Sequence, residues 1–213
     1  MIDSQIVAEL RRTFPKFADR IYDYPFPKPY CKDKKTVRAI YLGCDPSNNY
    51  VHDMKYVFMI GHEHSKFNSF KKFHKTNLNE VGLDWDSVYT QNICRNYFSK
   101  ETSANLTFWR KAAVWWLERL KRELDQFPKD IPVLLTSQYL HEVLVNGSDS
   151  LIKAVEYYKL RREIPIPPTK NVLDRPLIPL YRGKNPNLKK NYHLINWREY
   201  KERVTRAIAG LNM

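Results

Sequence analysis

The stretch VRAIYLGCDPSNNY, Val37 to Tyr50, governs how the rest of the chain is read. Its first six residues are rich in β-formers and stop at Gly43, which predicts a buried strand over Val37–Leu42 running into a turn. Glycine permits a tight turn and close backbone approach, while Pro46 stiffens the loop and restricts Asp45 before it. A carboxylate held at a strand end can orient a water or face a developing cation. The simpler account of Asp45 is an Asx turn in which it caps backbone amides.

Working outward, three similar units follow. SVYTQN (Ser87 to Asn92) is strand-like and ends in polar residues. Asn105 opens a long helix whose Phe108, Ala112, Trp116, Leu120 and Leu124 share one stripe. IPVLLTS (Ile131 to Ser137) reads as a third strand leading into a helical Gln138 to Val145, and PLIPLY (Pro176 to Tyr181) as a fourth. A basic loop and a closing helix complete the pattern, with Asn196 and Glu199 placed for a capping box before Tyr200, Val204 and Ile208. Upstream, Asp3 or Ser4 is placed to cap a first helix carrying Ile6, Val7, Leu10 and Phe14. The proline-rich YDYPFPKPYCKDKK then predicts an extended surface connection.

Strands alternating with helices predict an α/β protein, a single domain over residues 1–213 with a central, mainly parallel four-stranded sheet flanked by helices. Ligands of such sheets lie outside the carboxyl ends of the strands. The segments that matter are therefore Gly43 to Tyr50, Asn92 to Arg95, Ser137, and Arg182 to Lys190.

Composition narrows the chemistry. Lys and Arg number 36 against 23 Asp and Glu, a net charge of +13 that favours a polyanionic partner, most often nucleic acid. A generally basic surface with no partner is the plainer alternative. Cys31, Cys44 and Cys94 lie too far apart for a CxxC zinc site, a disulfide framework or a cysteine-bound four-iron cluster. His62 and His64, two apart, lack a third ligand in a fitting pattern, so no metal is expected. No Walker loop or Gly-x-Gly-x-x-Gly supports ATP or dinucleotide chemistry, and no cofactor is expected. The opening MIDSQIVAELRR has no signal-peptide layout and no apolar run reaches membrane-spanning length, so a cytoplasmic protein is expected.

Two further segments bear on the strand ends. YVFMIGHEHSKF carries Phe58, an aromatic that stacks on a planar base if it faces the pocket and is otherwise a core residue. VYTQNICRNYF places Asn92 after an apolar strand. Its amide offers a donor and an acceptor suited to the edge of a pyrimidine, or to loop backbone groups.

In this order and spacing, the segments from about Val37 to about Lys190 resemble the uracil-DNA glycosylase superfamily. The resemblance identifies Gly43-Cys44-Asp45-Pro46 with the family's water-activating turn, Phe58 with its base-stacking phenylalanine and Asn92 with its uracil-reading asparagine. KETSANLTFW falls where the family has a short polar stretch leading into a helix. It implies hydrolysis of the N-glycosidic bond of uracil or a related damaged base in DNA, by base flipping and without cofactor, in base excision repair. Asp45 and Asn92 would be catalytic, and Gly43, Cys44, Phe58 and Asn92 would bind the base. Arg182, Lys184, Asn185, Lys189 and Lys190 would meet the leaving group or the DNA. The expected partner is uracil-containing or damaged DNA, and the expected state a monomer.

Two departures stand out. Ser47 occupies the position where many members have a tyrosine that blocks the thymine methyl, with Tyr50 nearby. The fourth strand leads into YRGKNPNLKK instead of a His-Pro-Ser-Pro-type motif, and no histidine lies between Glu142 and Tyr192. These departures motivate an alternative, a catalytically inactive DNA- or protein-binding descendant of the same fold. A hydrolase of free nucleosides is the third possibility.

Overall fold

The computed structural model describes residues 2–48, 52–63, 65–180 and 197–210. Strand β1 (Ala39–Gly43) is central, because its five residues are all buried and both edges are paired. β2 (Val88–Asn92) lies on one side of it. β3 (Val133–Leu135) lies on the other, with β4 (Leu177–Pro179) beyond. All three pairings are parallel, as the alternating pattern predicts, and the order is β2-β1-β3-β4. Apolar side chains on both faces explain why these strands read as near-continuous hydrophobic runs.

Among the described residues six α-helices accompany the sheet: α1 (Ile2–Thr13), α2 (Asn68–Asn79), α3 (Leu106–Leu124), α4 (Gln138–Leu144), α5 (Ala154–Tyr158) and α6 (Trp197–Gly210). The predicted α3 stripe is the buried one, from Phe108 to Leu124. Tyr200, Val204 and Ile208 dock α6 into the core cluster that also receives α1 through Val7 and Leu10. The C-terminal end of α3 is closed by Arg175, which is 1% exposed and donates to the Leu124 carbonyl at 2.6 Å, the Phe127 carbonyl at 2.8 Å and the Pro128 carbonyl. A cation there faces the negative end of the helix dipole and satisfies carbonyls that the helix leaves unpaired.

Some expectations are corrected. Asp3 does not cap α1: it lies inside the first turn, and its carboxylate accepts a hydrogen bond from Phe26 N (3.0 Å), pinning the proline-rich connection to the helix. Helix α2 is not among the elements read from the sequence. Its apolar positions are sparse, and it forms because His74, Asn77 and Leu78 are packed inward. The capping box of the last helix involves Asn196, outside the described residues. No described helix is long and apolar enough to cross a membrane.

Candidate active site at the carboxyl ends of β1 and β2

β1 and β2 end at the same level, with Gly43 paired to Asn92. A Cβ at position 43 would lie 2.2 Å from Asn92 Oδ1 and 2.8 Å from Phe58 Cζ, so only glycine permits this approach. The ring of Phe58 and the amide of Asn92 therefore meet over one bare stretch of backbone. Asn92 is 5% exposed. Its backbone N–H donates to Gln91 Oε1 (2.8 Å), while no described residue hydrogen-bonds its side-chain amide. A buried amide with both functions unspent is suited to reading the edge of a planar ligand.

Phe58 is held there under strain. It and Met59 both adopt left-handed backbone, with φ of 57° and 60°. Non-glycine residues reach that region only where the surroundings impose it. The surroundings here are aromatic: Phe58 packs 4.9 Å from Tyr41, 4.9 Å from His74 and 6.1 Å from Trp85, centroid to centroid. Tyr41 from β1 and His74 from α2 share a buried hydrogen bond of 2.6 Å, which fixes the wall behind the ring.

Asp45 sits one turn further along the same loop. Its Oδ1 accepts from Ser47 N at 2.8 Å, the Asx turn expected of an Asp-Pro-Ser sequence. Its Oδ2 accepts from the Thr102 hydroxyl, which arrives from a 3₁₀ turn (Thr102–Ala104) just before α3. Ser47 is itself tied down, accepting from Phe98 N at 2.7 Å. The carboxylate keeps some contact with solvent yet lies deep between loops. Desolvation pushes its pKa above the ordinary carboxylate value, with the bonds from Ser47 and Thr102 opposing and Glu101 adding to the rise.

Neighbouring Cys44 is pushed up to about 12 by burial and by Asp45, against the opposing hydroxyls of Ser137 and Thr102. Its thiol stays protonated at neutral pH and is no nucleophile. Ser137, at the end of β3, also caps α4 by accepting from Tyr139 N at 3.1 Å.

The structure thus brings together Gly43, Phe58 and Asn92 on one side, and Cys44, Asp45, Thr102 and Ser137 on the other, joined through the Gly43–Asp45 backbone. Thr102 escapes a reading of the sequence, although it lies in the polar stretch before α3. Arg182, Lys184, Asn185, Lys189 and Lys190 lie outside the described residues, as do Tyr50 and His64. Among the described residues no group of three or more His, Cys, Asp or Glu is placed to hold a metal ion. Comparison with known proteins finds no family model that matches the chain, and no curated protein matches it.

Proposed function

We propose that the chain is a uracil-DNA glycosylase-like hydrolase that removes uracil, or a related damaged base, from DNA by base excision. The observation that carries this is the convergence of Phe58 and the unspent Asn92 amide over Gly43, beside a carboxylate held in place at the strand ends. A flipped base stacks on the ring and gives its edge to the amide. Asp45, ionised, faces the sugar as positive charge builds at C1′ and orients the attacking water. The C–N bond breaks with its electron pair on the base. Water supplies OH to C1′, and its proton ends on the departing base or in solvent.

The charge of +13 supports a DNA substrate. Lys72 and Lys75 lie on the exposed side of α2, whose buried His74 backs the Phe58 ring.

The test is base release from a labelled oligonucleotide with one uracil, single- and double-stranded, read after alkaline strand cleavage. Release by the wild type, with a fall of roughly 10²-fold or more in Asp45→Asn and in Asn92→Ala, is expected. Binding without turnover is the alternative, favoured by one observation: both Asp45 oxygens are already engaged within the fold. It predicts DNA binding intact in both variants and no release by any of them, across uracil and a panel of damaged bases.

A further inference from the structure

Among the described residues Asp45 is the carboxylate at the strand ends, and burial opposes its charge. Burial disfavours ionisation, Glu101 is a like charge on the adjoining turn, and the thiols of Cys44 and Cys94 are neutral neighbours that supply no cation. The donors to it are Ser47 and Thr102. Ser47 belongs to the same loop and reaches Oδ1 through its backbone N–H, and that loop is itself anchored where Phe98 N donates to the Ser47 hydroxyl. Thr102 comes from a different part of the chain, the 3₁₀ turn that Asn105 N closes onto the Thr102 carbonyl (3.1 Å) ahead of α3. Its hydroxyl ties Oδ2 directly to the turn before α3, and it bonds to both Asp45 and Cys44.

We infer that Thr102 is a positioning residue that, by donating to Oδ2, favours the ionised form of Asp45 and fixes the orientation of its carboxylate at the end of β1. A hydroxyl has one proton. Donating it to Oδ2 favours the ionised form of the carboxylate, whose Oδ1 accepts from Ser47 N. The inference rests on the proposed reaction only for its catalytic consequence, since the effect on Asp45 itself is independent of any substrate.

Thr102→Val keeps the shape of the side chain and removes the hydroxyl, while Thr102→Ser keeps the hydroxyl. The Asp45 carboxyl is followed by carbon-detected NMR titration in wild type and both variants, with thermal melts to verify folding. A hydrogen bond to the ionised form lowers a carboxyl pKa, so its loss raises it. In Thr102→Val the Asp45 midpoint is expected to move up by about one pH unit, tenfold in the ionisation equilibrium, and in Thr102→Ser to stay with the wild type. In single-turnover base release the acid limb is expected to move up with it, DNA affinity being unchanged. A folded Thr102→Val with an unmoved Asp45 midpoint overturns the inference. A moved midpoint in a protein that releases no base from any substrate leaves Thr102 in its role and removes the glycosylase proposal instead.

Discussion

A carboxylate packed beneath loops loses hydration, and at Asp45 that loss outweighs the bonds from Ser47 and Thr102. Its folded pKa lies above its unfolded one. The stability it contributes is therefore complete below the unfolded pKa and is lost as pH rises through the folded pKa. Above that folded pKa the ionised group is a local destabilisation that the fold tolerates. An amide in its place keeps an acceptor for Ser47 N and gives Thr102 a donor. Asp45→Asn is thus expected to melt at or above the wild-type temperature at pH 7, with the advantage shrinking as pH falls towards 4. Thermal melts at both pH values check this. A variant less stable at pH 7 than the wild type would mean that the ionised carboxylate holds the loop together. Phe58 has a similar character, since a side chain kept in left-handed backbone beside a glycine that admits no Cβ reflects demands other than stability.

Among the elements, the four strands and the stripe of α3 were legible because burial on both faces, or along one stripe, leaves a periodic record. β1 and β2 could be read to within two residues, whereas the register that pairs Gly43 with Asn92 could not. What was not legible depends on tertiary contact. Helix α2 owes its form to packing, Thr102 acts across 57 residues, and Arg175 crosses 51 to reach Leu124. In the sequence Arg175 is one basic residue among 36, and nothing local separates it from the solvated majority. Its removal should be costly. Arg175→Met leaves the carbonyls of Leu124, Phe127 and Pro128 without their donor, and a loss of at least about 3 kcal/mol is expected in urea unfolding at neutral pH. A loss below about 1 kcal/mol would show that water or neighbouring amides take over the end of α3.

Over the whole molecule, a surplus of thirteen positive charges acts at longer range than any single contact. If DNA is the partner, two or three phosphate contacts lower the binding constant by roughly ten- to fortyfold between 50 and 200 mM monovalent salt. Fluorescence anisotropy with a labelled duplex measures this, and affinity indifferent to salt would argue that the surplus is merely solvated. The order of the strands in the sheet has a consequence of another kind. β3 is covered on one side by β1 and on the other by β4, which comes last, at Leu177–Pro179. A chain emerging from the ribosome has Gly43, Asp45, Phe58, Asn92 and Thr102 in hand long before it can cover that second side. These residues are all made while the sheet is still open, and an unpaired strand edge invites a neighbour. The forty-odd residues between β3 and β4 are therefore the interval over which one edge of β3 waits for its partner strand.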